Sequence, residues 1–417
     1  MSVLPRDWSM TKVKYLASYM NGYPFAPTDW EDGGKPIVRI QNLTDPEASW
    51  NTTTLDVPQC YTVEAGDILI SWSASLGVYV WEREPALLNQ HIFKAIPTKE
   101  VERRYFVWAA KWFVGELQSQ AHGSTMQHLT KDVFGGFAVP LPPKAEQARI
   151  ANFLDEQTAR IDALIAEKER LDALLGEYRE AVITQAVTKG LDPSMPMKDS
   201  GIAWLGAVPE HWECWKLSHA FGRIGSGTTP PTDQQEWYED GNIPWITTGE
   251  LRENRIEQTA KYVTTAALGK FSALQVFPPE SLAIAMYGAT IGRLGILGTD
   301  ATTNQACCVL SSPDHLVVPF VFFWLRAFRQ ALISLFATGG GQPNISQDSV
   351  ASLRVPAPSL KEQAAIANFL DEQTARVDAL REHCKGHIKL LREYRSSLIS
   401  AAVTGQLDVD GFKSGLS

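Results

Sequence analysis

Few side chains in these 417 residues stand at spacings that chemistry would use. His383 and His387 lie four apart, the interval that turns two imidazoles to one helix face for zinc, but no third ligand accompanies them. Cys307 and Cys308 fall in an apolar, strand-like run and read as buried thiols. The acidic doublets Asp155-Glu156 and Asp371-Glu372 sit among charged neighbours, which suits a solvated or partner-facing surface better than an acid–base pair. Gly34-Lys35 and Gly269-Lys270 lack the spacing and the hydroxyl of a phosphate-binding loop, and Gly222, Gly225 and Gly227 do not form a dinucleotide fingerprint. Neither an Asn-Pro-Pro-aromatic tetrapeptide nor His-Glu-x-x-His occurs. The chain reads as non-catalytic, with no metal site and no cofactor of its own.

The elements that would position any functional residue come in duplicate. EQARIANFLDEQTARIDAL at 146–164 recurs as EQAAIANFLDEQTARVDAL at 362–380, identical at seventeen of nineteen positions with an offset of 216. The register holds through Glu177-Tyr178-Arg179 and Glu393-Tyr394-Arg395, and ends at Ala186-Val187-Thr188 and Ala402-Val403-Thr404. Upstream the match is looser: Trp8 with Trp212, Pro36 with Pro244, Asn89-Gln90 with Asn304-Gln305, and Val139-Pro140 with Val355-Pro356. Asn89-Gln90 and Asn304-Gln305, being common to both halves, are expected to be scaffold. A period this long is a duplicated domain-plus-helix unit.

Both copies of the repeat are free of proline over 144–188 and 360–404, with Pro142-Pro143 and Pro358 just before the start, where proline is tolerated. Ile150, Leu154, Gln157, Ile161, Leu164, Lys168, Leu171, Leu175, Tyr178 and Val182 follow a 4-3 alternation, a heptad seam. Ile366, Leu370, Gln373, Val377, Leu380, Cys384, His387, Leu391, Tyr394 and Leu398 repeat it. Each helix would be a rod of roughly 65 Å at ~1.5 Å per residue, and the natural cover for its seam is the other copy. An antiparallel pair is expected. The globular halves read as mixed, with β-type runs at 36–41, 67–72, 91–96, 244–247, 282–287 and 306–311, and helical patterns at 103–119 and 319–336. The expected architecture is α+β: two similar recognition domains, 1–143 and 191–359 with its linker, separated by long helices at 144–190 and 360–405, with a tail at 406–417 and a pseudo-twofold internal repeat.

Composition limits the function classes. Hydrophobic residues make up 44% and charged residues 20%, globular values. The longest apolar run, 316–328, is short and broken by Pro319, so no membrane partner is expected. The first ten residues lack the apolar core of a signal peptide, and five cysteines without a pairing pattern suit reduced thiols; the cytoplasm is the expected compartment. A net charge of −9 argues against non-specific wrapping of nucleic acid. Residues 1–143 hold 12 Lys+Arg against 15 Asp+Glu, and 201–361 hold 11 against 13, so cationic groups must be segregated on one face if DNA is bound at all. Two similar platforms on a rigid rod suit a ligand with two separated sites. Double-stranded DNA fits, and a two-headed adaptor that binds proteins or other ligands through its globular halves is the alternative.

The chain resembles the specificity subunit of type I restriction–modification systems. The resemblance is carried by Pro140, Pro142, Glu146 and Gln147 with Pro356, Pro358, Glu362 and Gln363, and by Ile150-Ala151-Asn152-Phe153-Leu154-Asp155 with Ile366-Ala367-Asn368-Phe369-Leu370-Asp371. Trp204-Leu205-Gly206, Val208-Pro209-Glu210-His211-Trp212 and Ile243-Pro244-Trp245-Ile246 add to it; in the first half Pro36-Ile37-Val38-Arg39 departs from the Pro-Trp-Ile form. The resemblance implies that each globular half reads one half of a split DNA target. It implies that the helices form an antiparallel coiled coil that sets the spacing and docks two methyltransferase subunits. S-adenosylmethionine, ATP and Mg would then be held by partner subunits, including two restriction–translocase subunits where the system cleaves, and this chain would do no chemistry.

Readers of different half-sites must lie where the halves differ and must carry groups that reach base edges. The first half offers Arg39, Gln41, Asn42, Ser73, Ser124, Thr125, Gln127 and His128. The second offers Thr228, Thr229, Thr247, Thr248, Arg252, Tyr287, Arg293, Gln342 and Asn344. For docking, the helix faces away from the seam offer Arg149, Asp155, Arg160 and Asp162, with Asp371, Arg376 and Asp378 in the second copy. Identity between the copies fits two equal partner sites, and it fits recent duplication equally well.

Overall fold

The computed structural model describes residues 4–45, 47–73, 75–122, 131–337 and 343–412. The chain forms two compact units, and each takes parts of both long helices: 1–169 with 385–417, and 170–384. The helices are α1, Lys144–Lys189, and α2, Leu360–Val403.

In the first unit a four-stranded antiparallel sheet runs in the order Ala17–Asn21, Ile92–Pro97, Ile68–Ser71, Gly77–Val80. A second sheet orders Asn51–Thr53, Lys35–Val38, Ala86–Leu88, Thr62–Val63, with the middle pair parallel. Strand Ile68–Ser71 is buried on both faces. Its period of two sends Ile68 and Ile70 to a core shared with helix Arg103–His122, α1 and α2, and sends Leu69 to Val38, Val63 and Leu88 of the second sheet. The second unit repeats this logic: Leu282 and Ile284 of strand Leu282–Ala285 face the helical core, while Ala283 and Ala285 face Ile246 and Leu251. Its main sheet is ordered Phe221–Ser226, Cys307–Pro313, Leu282–Ala285, Leu294–Leu297, Asn254–Ile256, and its smaller sheet Tyr262–Val263, Ile243–Ile246, Thr302–Thr303. In both units the strand leading into the domain pairs with the one leading out to a long helix: Ser9–Lys12 with Ala138–Leu141, and Glu213–Lys216 with Arg354–Ala357.

Two expectations from sequence need correction. The run 36–41 is a strand only to Val38; Ile40–Thr44 turns into a short helix because the Asn42 side chain caps the Arg39 backbone. The pattern at 319–336 is two helices, Val318–Ala327 and Arg329–Phe336, bent by 71° at Phe328, whose ring packs on Trp204 and Trp324. Among the described residues no single helix is long and apolar enough to cross a membrane.

The helices pair antiparallel inside each unit. Arg395 donates two bonds to Asp162 at 2.8 and 3.0 Å and Arg392 reaches Glu169 at 2.8 Å, so numbers rise on one helix as they fall on the other. In the second unit Arg179 binds Asp378 at 2.9 and 3.0 Å and Arg381 binds Asp172 at 2.8 Å. With the offset of 216, Arg179–Asp378 is the mate of Arg395–Asp162, the copies exchanging roles as a pseudo-twofold requires. The buried stripe differs from the heptad. It runs through Ile150, Leu154, Ile161, Ile165, Arg179, Ile183 and Val187, recurring every eleven residues as Ile150, Ile161, the half-buried Asp172 and Ile183. That period, ~3.67 residues per turn, is closer to the ~3.6 of a straight helix than the heptad's ~3.5 and drifts to the opposite, right-handed side. A strict heptad drifts by ~20° every two turns and has fallen a full position behind by Ile165, where it would place Leu164, so Leu171 and Tyr178, and Leu380 and Tyr394 in the second copy, stand exposed.

Candidate nucleic-acid interface

Three of the first-half candidates, Arg39, Gln41 and Asn42, follow directly on strand Lys35–Val38. Arg39 stacks over Trp30, 4.9 Å to the ring centroid, and donates to Asn51 Oδ1 at 2.7 Å. These contacts aim a guanidinium with donors to spare at the loop surface. Gln41 donates to Ser49 O at 3.2 Å and stays half-buried. Asn42 is corrected from reader to scaffold: it is 1% exposed, its Oδ1 accepts from Arg39 N at 3.1 Å, and its Nδ2 donates to Ser49 O at 3.1 Å. An amide so consumed cannot reach a base. Ser73 is half-buried, beside Trp72, which stacks on Phe93 and donates to Asn21 Oδ1 at 3.0 Å. Ser124, Thr125, Gln127 and His128 lie outside the described residues, as does Gln342.

The second half builds its counterpart around Glu250. One carboxylate oxygen accepts from Thr247 N at 2.9 Å; the other accepts from Thr259 Oγ1 and from Ala260 N at 3.1 Å. At the offset of 208 that relates Pro36 to Pro244, Arg39 corresponds to Thr247 and Asn42 to Glu250. The two halves therefore share a loop organiser and differ in the residue it presents. Thr247-x-x-Glu250 is a capping-box spacing, a signal readable in the sequence. Thr248 follows in the same turn, and Arg252, exposed, is steadied by donation from Nε to Gly249 O at 3.1 Å.

Thr228, Thr229, Tyr287, Arg293 and Asn344 are each tied to a neighbouring strand or loop of the second half. Thr228 O accepts from Trp245 Nε1 at 3.1 Å, and Thr229 Oγ1 donates to Gln305 Oε1 at 2.6 Å. The next residue, Ala306, accepts through its carbonyl from Met286 N at 2.8 Å, which places Tyr287 beside it; Tyr287 pairs with Asn344 in an isolated bridge. Glu253 N donates to Leu294 O at 2.9 Å, bringing Arg252 beside Arg293. Burial pushes the Tyr287 phenol up, so it stays a neutral donor. Asn304 joins the scaffold through its side chain, Oδ1 accepting from Ala306 N at 3.2 Å, whereas Asn89 is held by its backbone N–H, which donates to Val38 O at 3.1 Å, and its buried Oδ1 has no partner among the described residues.

Close packing of the two sheets was not foreseen. A Cβ on Gly22 would lie 2.1 Å from Asn89 O, and one on Gly227 would lie 1.7 Å from Thr303 O. In each half only a glycine lets the first strand of the main sheet run into the smaller sheet, which holds the candidate loops in place.

The weld between domain and helix is also duplicated. Gln147, 1% exposed, donates to Glu100 O at 3.2 Å and Pro142 O at 2.8 Å, and accepts from Glu102 N at 2.7 Å. Gln363 does the same with His315 O at 3.0 Å, Pro358 O at 2.8 Å and Val317 N at 2.8 Å.

The docking candidates divide. Arg160 and Arg376 stay exposed, each paired four residues back on its own helix with Glu156 or Glu372. Asp162 and Asp378 do not face away from the seam; they hold the helix pair together. Asp155 is spent inside the first unit, accepting from Trp108 Nε1 at 2.8 Å and Arg104 Nη1 at 3.1 Å. The residues corresponding to Arg104 and Trp108 are Pro319 and Phe323, and without those donors burial pushes the Asp371 carboxyl up. Arg149 pairs with Asp410 at 3.5 Å, while Leu407, Val409 and Phe412 of the tail pack on the first unit's core. Sequence reasoning missed Leu174 and Leu390 and placed Tyr178 and Tyr394 in the seam, yet each helix leaves an apolar pair open: Leu174 and Tyr178 are 50 and 53% exposed, and their mates Leu390 and Tyr394 are 61 and 36% exposed.

Comparison with known proteins bears on all of this. The family described as the type I restriction modification DNA specificity domain matches twice, at residues 5–173 and 209–389. The EcoBI specificity subunit of Escherichia coli is 25% identical over 96% of this chain and 86% of its own length. The MjaVIII specificity subunit of Methanocaldococcus jannaschii is 24% identical over 97% of this chain and 94% of its own. A chain solved in work on complex assembly and conformational transition of the type I R-M system matches with a TM-score of 0.75 at 14% identity, covering 98% of this chain and 100% of that one. The HsdS subunit from Thermoanaerobacter tengcongensis matches with a TM-score of 0.56 at 15% identity, covering 97 and 98%. These structures share the fold.

Proposed function

The chain belongs to the family of type I restriction–modification DNA specificity subunits, which recognise DNA through two domains and are not catalytic, and we propose that it reads a split target, one half-site per domain. The observation that carries this reading is the shared loop organiser. Asn42 and Glu250 shape the same turn, yet one presents Arg39 and the other Thr247. Arginine donates to guanine O6 and N7, while a threonine hydroxyl or methyl suits other edges, so equivalent frames would read different bases. Arg252, Arg293, Tyr287, Asn344 and Thr229 would complete the second surface.

The paired helices set the spacing between half-sites and dock two methyltransferase subunits, one for each copy of the repeat. Support comes from the faces that remain exposed in both copies, Arg160 with Leu174 and Tyr178, and Arg376 with Leu390 and Tyr394. Equal partners need equal surfaces. S-adenosylmethionine, ATP and Mg belong to the partner subunits in this reading. Neither globular half has an excess of cations, so phosphate contacts from the partners supply much of the affinity.

The test is a single-molecule methylome of the source cell with and without the gene. Loss of N6-methyladenine at one motif of two short half-sites around an unspecified spacer is the expected result; loss at a continuous motif would refute the division of labour. Charge reversal in R160E/R376E, or L174S/Y178S with L390S/Y394S, should abolish copurification of the coexpressed methyltransferase. Unchanged copurification by both variants would remove the docking face.

A further inference from the structure

We propose that the buried faces of α1 and α2 carry a pairing code, by which each helix accepts the other copy and rejects a second copy of itself. The problem is set by the repeat: with seventeen of nineteen residues identical through its core, apolar burial alone cannot tell the two helices apart.

The discriminating layers are equivalent by the repeat and different in residue. In the second unit Arg381 grips Asp172, Nε to Oδ1 at 2.8 Å and Nη2 to Oδ2 at 3.3 Å, with side chains only 31 and 23% exposed. The guanidinium lies along Gly176, where a Cβ would be in ordinary van der Waals contact, 3.6 Å from Arg381 Cζ. The mates of Asp172, Arg381 and Gly176 are Ile388, Ile165 and Arg392. In the first unit Ile165 and Ile388, each 9% exposed, share one buried apolar cluster, and Arg392 goes to Glu169 at 2.8 Å. The register is common to both layers, since Asp162–Arg395 and Arg179–Asp378 are mates.

Pairing like with like in that register breaks the match. Two α1 helices would keep Asp162 on Arg179 twice but would set Asp172 against Ile165 twice. Two α2 helices would set Arg381 against Ile388 twice and bring Lys385, the mate of Glu169, to Arg392. A charge pressed on isoleucine loses water and gains no counter-ion, and facing cations repel. Only α1 with α2 sets ion on ion and isoleucine on isoleucine. The arrangement rejects pairing between equal halves of two chains, which would join identical domains on one rod.

Refolding an equimolar mixture of ¹⁴N- and ¹⁵N-labelled full chains, followed by crosslinking and mass spectrometry, tests the code. The native chain should give α1–α1 crosslinks between unlike labels at background level. D172I/R381I, which makes the two layers alike, should raise them by about tenfold or more. D172R/R381D keeps the ion pair and still sets a charge against Ile165, so it should stay at background and shows that substitution at these sites permits folding. Native-level α1–α1 crosslinking in D172I/R381I, or equal crosslinking by D172R/R381D, would overturn the proposal.

Discussion

Replacing Gln147 with leucine keeps the volume of the side chain and removes every polar contact it makes. The glutamine ties together Glu102 N, Glu100 O and Pro142 O at 2.7, 3.2 and 2.8 Å. Glu102 is also where the domain helix Arg103–His122 begins, since its carboxylate accepts from Tyr105 N at 2.6 Å. One side chain on the long helix thus holds the start of the domain helix and the loop before it. The Pro142 carbonyl sits in a buried contact, and the other two partners are partly reachable by water. At ~1–3 kcal/mol for a buried group left unpaired, and less where water can enter, Q147L should cost about 3 kcal/mol. Hydrogen exchange reads this locally. The amides of residues 100–106 should exchange roughly a hundredfold faster in Q147L, because ~1.4 kcal/mol is a factor of ten.

A second substitution fixes the sign. Q147E keeps the acceptor for Glu102 N but turns a donor toward the carbonyls of Glu100 and Pro142 into a carboxylate. Facing two carbonyl oxygens in a buried site, the carboxyl will have its folded pKa raised above the unfolded value of about 4.3. The native state then binds the proton more tightly, so stability is least impaired below pH ~4 and falls as pH rises through the folded pKa. Q363L and Q363E should behave alike at residues 315–317. If Q147L stays within about 0.5 kcal/mol of the native chain with unchanged exchange at 100–106, or if Q147E shows no added pH dependence, the amide clasp does not hold domain to helix.

Two further outcomes follow from the site. N42A should lower the stability of the first unit by about 2 kcal/mol in urea unfolding, because a buried amide with backbone partners is lost, whereas R39A should leave stability within about 0.5 kcal/mol and weaken target selection in a methylation assay of the assembled complex. D155N should loosen the first unit, measured by thermal unfolding at pH 7, through its Trp108 and Arg104 contacts, while D371N should not destabilise the second; since burial raises the Asp371 pKa, the native chain loses stability as pH rises through that value, and D371N should remove that loss.

How far the sequence was legible follows from the range over which each signal acts. A duplicated, proline-free helix with apolar residues at regular intervals is written in local order, so α1 and α2 could be read directly, while their antiparallel pairing was an inference from the path of the chain between them. Which face is buried could not be read. The 3.5 and 3.6 periods agree for about two turns, and only the length of the helices separates Ile165 and Arg179 from Leu164 and Tyr178. The same limit explains Asp155, identical in sequence to Asp371 but claimed by Arg104 and Trp108 from a helix some fifty residues away. In the loops the limit is sharper. Thr247-x-x-Glu250 carries a capping signature and Arg39-x-x-Asn42 carries none, although both fold into the same frame. A reader and its support stand three residues apart, both polar, and only the frame tells which is which: Asn42 turns inward to the chain, and Arg39, laid on Trp30, turns out. Specificity in this chain can therefore change at Arg39 or Thr247 without disturbing the turn beneath it. A change at Asn42 or Glu250 must first be compatible with the fold.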